Sequence, residues 1–158
     1  MKKKFYIIII VAIIAVIAIV ATFSIGFIDN SGISDSSDWE TKELVGLKFK
    51  VPHKYENGSV LSGNTVDSVK TENSYKSEDF FISVNDKNWT GENDKLMEST
   101  TAISLLYEIH NEEIIVFTEN ETSIAFFEVN GNKIYMSWSG EEATPDIKAI
   151  VASFFELN

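Results

Sequence analysis

An uncharged apolar run near the N-terminus constrains this chain more than any other feature. Phe5 to Phe23 are nineteen residues without a charge, and weaker apolar character continues to Ile28. An α-helix rises about 1.5 Å per residue, so roughly 20 residues cross a hydrocarbon core of about 30 Å. The run therefore predicts a transmembrane anchor, or an uncleaved signal, over residues 1–28, with lipid contacts through residues 5–28.

The charges that flank this run predict its orientation. Three lysines, residues 2–4, precede it, and Asp29 and Asp35 follow it. The positive-inside rule then places the N-terminus in the cytoplasm and the rest outside, as a single-pass protein of the cell membrane. The alternative is a signal peptide cleaved near Ser24-Ile25-Gly26, although such peptides usually have only about 7–15 apolar residues.

The composition excludes several classes of function. The chain of 158 residues contains no cysteine, which excludes disulfides, thiolate metal sites and a cysteine nucleophile. Its net charge is −11 and all thirteen basic residues are lysine. Residues 29–158 carry ten lysines against 24 acids, a net charge of −14. Nucleic acid is not an expected partner, because binding to phosphates depends on clustered Lys and Arg.

The first half of the outer part divides into a linker and the start of a domain. Residues 29–40 are polar and acidic, which predicts a linker. The domain is expected over 41–158. Alternating apolar residues predict strands over 45–51 and 80–85. The polar stretch 56–79 predicts a long loop with one short edge strand around 66–70.

The middle of the domain predicts one helix and one buried strand. Leu96, Thr100, Ile103 and Tyr107 step by three or four, which favours a helix over 94–109. The four consecutive apolar residues within 113–118 favour a strand that is buried on both faces.

The C-terminal third predicts a hairpin and a second helix. Asn130-Gly131 between two apolar stretches favours a hairpin over 123–139. Thr144, Pro145 and Asp146 are typical of a helix start, and an apolar stripe follows them. The predicted fold class is therefore α+β: an N-terminal transmembrane helix, then a mostly antiparallel sheet packed with two helices in an α/β/α sandwich-like arrangement.

One stretch also resembles a known family. Gly46-Leu-Lys-Phe49-Lys-Val51-Pro52-His-Lys-Tyr55 resembles the opening strand of PsbP-like domains, and the late hairpin with a C-terminal helix is similar to that group as well. The resemblance covers about residues 42–157. It implies an α/β/α sandwich and a non-enzymatic role as an extrinsic subunit, assembly factor or binding module. It carries over no site residues.

A second stretch suggests a calcium loop. Oxygen-bearing side chains occupy alternate loop positions, and Gly91 takes the sixth; the candidate ligands are Asp86, Asn88, Thr90, Glu92 and Asp94. The twelfth position is Met97 instead of a glutamate. The alternative is a polar turn in which Asn93 or Asp94 caps a helix. Ca²⁺ is the one cofactor that the sequence suggests.

Three sequons predict glycosylation if the domain is outside the cell. They begin at Asn57, Asn88 and Asn120, all in expected loops. Asn88 cannot comfortably serve both as a glycan acceptor and as a calcium ligand.

No residues predict catalysis. His53 and His110 are the two histidines, and neither lies in a recognisable hydrolase or metal motif. The acidic pairs 112–113 and 141–142 are typical of solvated surfaces. Phe80-Phe81 and Phe126-Phe127 place one aromatic on each side of a strand, so both sheet faces should be covered by helices, or one face is open to a partner.

These features together predict a binding or scaffolding domain without catalysis, held at the membrane outside the cell. Its expected partner is an unidentified membrane or cell-surface protein. A cation- or small-solute-binding module and a surface hydrolase are the alternatives.

Overall fold

The computed structural model describes residues 26–28, 32–64, 70–86, 89–99, 101–140 and 142–158. These residues form ten strands in two sheets, together with two α-helices. The strands are β1 Gly26–Ile28, β2 Glu40–Leu44, β3 Leu47–Val51, β4 Ser59–Asn64, β5 Lys70–Ser77, β6 Phe80–Val84, β7 Ile103–Ile109, β8 Glu112–Glu119, β9 Thr122–Val129 and β10 Asn132–Ser139. The helices are α1 Trp89–Met97 and α2 Pro145–Glu156, and a 3₁₀ turn spans His53–Tyr55.

Eight of these strands form one large sheet. Their order is β1-β7-β8-β9-β10-β6-β5-β4, and β2 and β3 form a separate two-stranded sheet. The β1–β7 pair is parallel, and the other pairs are antiparallel. Antiparallel order follows from the short turns between consecutive strands. In the β9–β10 turn, for example, Asn130 and Gly131 both adopt positive φ, at 51° and 76°.

One side of the large sheet, which we call the inner face, carries the core. It presents Ile82, Ile134 and Met136, all with no exposed surface. Helix α2 and the β2–β3 hairpin lie on this side. The Phe154 ring of α2 stacks on Phe49 of β3, with centroids 4.9 Å apart, and meets Phe127 of β9 edge-on at 5.6 Å. The aromatic residues therefore join the two sheets and the helix into one core.

The opposite side, which we call the outer face, is also aromatic. Phe81, Phe126 and Tyr135 alternate with inner-face residues, and side chains of a strand point to opposite faces in turn. Helix α1 lies on this side, where the Trp89 ring meets Phe126 at 5.5 Å. The expectation that each Phe-Phe pair has one ring on each face is confirmed for Phe126-Phe127.

The elements with strong local signals are confirmed. The C-terminal helix begins at Pro145, and the Thr144 hydroxyl accepts a hydrogen bond from the Ile147 N–H at 3.3 Å. The expected hairpin matches β9 and β10. The strands predicted over 80–85 and 113–118 match β6 and β8.

The helix predicted over 94–109 is wrong. The helix spans Trp89–Met97, and Ile103–Ile109 form strand β7. The second half of the predicted helix also alternates with a period of two, at residues 103, 105, 107 and 109. Backbone pairing of β7 with β8 decides between the two patterns, and that pairing is not visible in the local sequence.

The long loop predicted over 56–79 is also wrong. Strands β4 and β5 occupy most of it and pair with each other, with a register shift between Leu61 and Ser62. Residues 65–69, which include most of the edge strand expected around 66–70, lie outside the described residues. The polar composition hides these strands because β4 is at the edge of the sheet, where side chains remain solvated.

The predicted N-terminal transmembrane helix is wrong as well. Among the described residues no helix is long and apolar enough to cross a membrane. Gly26–Ile28, the end of the predicted span, form an edge strand of the large sheet that pairs with Leu105–Tyr107. Residues 1–25 lie outside the described residues. The expected lipid contact of residues 5–28 rested on that helix.

The predicted fold class must therefore be corrected. The described residues form a mostly antiparallel β structure of two sheets with two helices. The inner face is shared by α2 and the β2–β3 hairpin, since Leu44, Leu47 and Phe49 of the hairpin are buried there. The two-stranded sheet therefore covers part of the inner face that the sandwich prediction assigned to a helix.

The described part of the expected linker lies against α2. The Ser34 N–H donates to the Pro145 carbonyl at 3.2 Å, and the Ser34 hydroxyl donates to the Asp146 carboxylate at 2.6 Å. Residues 29–31 lie outside the described residues.

Candidate functional site

A cleft of about 320 Å³ opens between α1 and the outer face of the large sheet. Its size lies at the lower end of the range of small-molecule sites, about 300–1,000 Å³. The apolar side chains that line it come from three strands and the helix: Phe81, Trp89, Leu96, Ile124 and Tyr135. The polar side chains are Ser83, Asp86 and Glu92.

Trp89 fixes the position of α1 above the sheet. Its indole Nε1–H donates to the Ile134 carbonyl at 2.9 Å, and its ring meets Phe126 at a near-perpendicular angle of 89°. Edge-to-face ring pairs are favourable by about 0.5–1.5 kcal/mol beyond the area that they bury. Helix α1 has no fully buried side chain. Its first residue therefore supplies the most specific attachment described for it.

Aromatic rings and a buried hydroxyl form the floor of the cleft. The centroid of Tyr135 lies 6.0 Å from Phe81 and 5.4 Å from Phe126. The Ser83 side chain is 2% exposed, and its hydroxyl accepts a hydrogen bond from the Ser74 hydroxyl at 3.2 Å. The floor is therefore apolar with one polar point, as in many small-molecule sites.

The charges around the cleft are of both signs. Glu92 pairs with Lys95 at 2.8 Å on the exposed side of α1. The Lys133 ammonium lies 4.7 Å from the centroid of the Trp89 ring and 3.3 Å from the Thr90 hydroxyl. Of the described side chains that line the cleft, however, two are acidic and none is basic.

The structure brings only some of the candidate calcium ligands near one another. Asp86 and Glu92 both line the cleft, whereas Thr90, Glu92 and Asp94 lie on helix α1. The chain is helical from Trp89 onwards, in place of the loop that would wrap an ion. Because residues two apart on a helix point in different directions, Thr90, Glu92 and Asp94 do not face one point. Asn88 lies outside the described residues. Among the described residues no group of three or more His, Asp or Glu side chains is placed to hold a metal ion. The calcium hypothesis stays a prediction.

Two of the three sequon asparagines are described, and both are exposed. Asn57 follows the 3₁₀ turn, and Asn120 adopts positive φ in the turn between β8 and β9. Both amides therefore lie where a glycan could be attached without displacing the core. Their glycosylation stays a prediction.

Neither histidine lies in the cleft. His53 is exposed, and its Nδ1 lies 2.8 Å from Glu56 and its Nε2 3.5 Å from Asp38. Hydrogen bonds to these carboxylates, with Glu56 first, raise the pKa of His53 above its usual value. His110, which directly follows the stretch predicted as a helix over 94–109, lies in the β7–β8 turn and stacks on Phe155 at 6.1 Å.

The acidic pairs are placed as solvated groups. Glu112 and Glu113 are exposed at the start of β8, and Glu142 is exposed before α2. Glu141 lies outside the described residues.

The cleft residues other than Asp86 and Glu92 were not predicted as a site. Trp89 stands within the stretch interpreted as a calcium loop, and Leu96 within the predicted helix core. A usable signal was nevertheless present. Ile124, Phe126 and Tyr135 are apolar positions on the face opposite to the core, which indicates that something apolar must cover them.

Comparison with protein-family models, curated proteins and solved structures finds no match to this chain. The resemblance to PsbP-like domains therefore stays a prediction.

Proposed function

We propose that this protein is a binding domain without catalysis and that the cleft between α1 and the outer face is its binding site. The observation that carries the proposal is the lining of the cleft: five apolar or aromatic side chains with three polar ones among them. Sites for small molecules commonly combine apolar walls with a few polar groups that fix orientation.

The contrast between the two sheet faces supports this position. The inner face is filled by α2 and the β2–β3 hairpin, and its residues are fully buried. On the outer face, Trp89 attaches α1 to β10, and Leu96 of the same helix lines the cleft. The outer face is thus the side where a ligand can enter without unfolding the core.

The surroundings of the two histidines favour binding over hydrolysis. The described contacts of His53 are to Glu56 and Asp38, and those of His110 are to Phe155 and Glu156. A hydrolase of the Ser-His or Cys-His type would need a histidine within hydrogen-bond reach of its nucleophile. The proposed location outside the cell rests on the sequence alone and stays a prediction.

A fragment screen on the ¹⁵N-labelled full chain tests the proposal. We expect chemical-shift changes to cluster on α1, β6 and β10, with the Trp89 indole among the affected signals. The Leu96→Trp variant fills the cleft from the helix side and should weaken binding by roughly tenfold or more.

The matched control is Met97→Trp. Met97 is 44% exposed at the end of α1 and does not line the cleft. This variant makes a similar increase in size one position away, so it should leave binding unchanged. Shift changes that map elsewhere, or that Leu96→Trp leaves unaltered, would overturn the proposal.

A further inference from the structure

The charged groups at the cleft already have partners within the protein. Glu92 pairs with Lys95 at 2.8 Å, and Asp86 has an interaction of its own. The Lys133 ammonium lies 4.7 Å from the centroid of the Trp89 ring. An ion that enters an apolar cavity loses its hydration, and this is costly unless an opposite charge pairs with it. No described lining residue offers an unpaired charge, so the cleft favours an uncharged ligand.

The rest of the lining is mostly apolar. Phe81, Leu96, Ile124 and Tyr135 supply two rings and two aliphatic side chains. The Phe81 and Tyr135 rings are inclined at 65°, with centroids 6.0 Å apart. Aromatic rings prefer offset-stacked and edge-to-face contacts, and two inclined rings can offer one contact of each kind to a third ring.

The volume of the cleft limits the size of such a ligand. An apolar cavity of about 150 Å³ is large enough to hold benzene. The cleft has about 320 Å³. It therefore has room for one aromatic ring with a short substituent.

Ser83 supplies a hydrogen-bond donor inside the cleft. Its side chain lines the cavity and is only 2% exposed. Its oxygen accepts from the Ser74 hydroxyl at 3.2 Å, which leaves the Ser83 proton to donate. Among the described residues no group accepts that proton. Because a buried donor is costly to leave without a partner, this serine favours a ligand that carries an acceptor.

From these observations we propose that the cleft binds an uncharged molecule made of one aromatic ring and a short substituent with a hydrogen-bond acceptor, such as a carbonyl group. The ring packs against Phe81 and Tyr135, and the acceptor takes the proton of Ser83. This inference rests on the proposed function and names the ligand class of that same site.

Three compounds of nearly equal shape test the charge preference on the full chain. Acetophenone is neutral, benzoate is an anion and benzamidinium is a cation, and each is titrated at neutral pH with NMR detection at the Trp89 indole. We expect acetophenone to bind about tenfold more tightly than either ion, because neither ion finds an unpaired opposite charge in the cleft. An ion that binds as tightly as acetophenone, and is weakened by Leu96→Trp, would overturn the inference.

Ser83→Ala tests the acceptor. It should weaken binding of acetophenone about three- to tenfold, as expected for one neutral hydrogen bond. Binding of ethylbenzene, which keeps the ring but has no acceptor, should not change. The matched control is Ser77→Ala, because Ser77 is buried on the neighbouring strand β5 and does not line the cleft. It should change neither affinity. An equal loss for both ligands in Ser83→Ala would reduce the serine to a structural role and overturn the inference.

The outcomes distinguish this inference from the proposed function. If fragments bind at the cleft and are weakened by Leu96→Trp, but acetophenone does not bind or does not depend on Ser83, the inference alone fails. If the fragment screen finds nothing at the cleft, both fail.

Discussion

The hydroxyl of Tyr75 is hydrogen-bonded to the backbone of the segment 55–58, which precedes the edge strand β4. Tyr75 is fully buried, and its hydroxyl donates to the Tyr55 carbonyl while it accepts from the Gly58 N–H at 3.0 Å. A Cβ at residue 58 would lie 2.5 Å from the Tyr75 ring, so this approach requires glycine. Burial raises the pKa of Tyr75, so the hydroxyl stays protonated and able to donate.

Tyr75→Phe should lower the free energy of unfolding by about 0.5–1.5 kcal/mol. The variant removes a buried hydroxyl that bonds both the Tyr55 carbonyl and the Gly58 N–H, while the direct bond between those two groups, at 3.2 Å, remains. Urea denaturation measures the effect. Tyr135→Phe is the control, because among the described residues its hydroxyl makes no hydrogen bond that would be lost. An equal effect of both variants would contradict the role of the Tyr75 hydroxyl.

Asp146 makes stability depend on acid pH. The Ser34 hydroxyl, and then the Lys54 ammonium at 3.0 Å, hold the pKa of Asp146 below its usual value of 3.8. A carboxylate whose pKa is depressed in the folded state stabilises the fold above its unfolded pKa. That stability is lost as the pH falls through the folded pKa.

Asp146→Asn should therefore destabilise the protein by about 1 kcal/mol at neutral pH, through the lost ion pair and the lost helix N-terminal charge. The difference from wild type should shrink as the pH falls below about 3.8. Urea denaturation at a series of pH values measures this, with Asp94→Asn as a control for the change in total charge. A difference that stays constant down to the acid limit would contradict the assignment.

The two helices differ in how they are stabilised, and this decides which of them could be predicted. Helix α2 buries Ile147, Ile150, Val151 and Phe154, a stripe that is readable from spacing alone. Helix α1 has no fully buried side chain, so its sequence has little periodic signal. Strand β7 was predicted as a helix because its apolar residues fit both periods, and the His110-Asn111 turn to β8 contains no glycine that would mark a hairpin.

Gly91→Ala should stabilise the protein by about 0.5–1 kcal/mol. Gly91 is inside α1, and nothing lies within 4 Å of the position that its Cβ would take. Alanine has less freedom to lose than glycine when the helix forms. Hydrogen exchange of the α1 amides should slow accordingly.

Gly131→Ala is the opposite case and serves as the comparison. Gly131 has a φ of 76° in the β9–β10 turn, a conformation that costs alanine about 1 kcal/mol. If Gly91→Ala destabilises the protein as Gly131→Ala should, residue 91 is not in a helix interior.

At the scale of the whole molecule, the two faces of the large sheet differ: the inner face packs the core, and the outer face carries the cleft. The inner face was predictable as a core because apolar residues recur at every second position along its strands. The cleft on the outer face was not, because its walls come from β6, α1, β9 and β10, and their distances depend on the register of several strands. The sequence did show an excess of aromatic residues at the strand positions that face away from the core.

Intermolecular NOEs between the full chain and a fragment identified by the screen test binding at the cleft most directly. Binding there predicts cross-peaks from the ligand to the ring protons of both Trp89 and Tyr135, which both line the cavity. Cross-peaks that arise only from residues outside the cleft, such as Val60 and Leu61 on the exposed edge strand β4, would contradict it. The absence of any cross-peak at saturating ligand would contradict it as well.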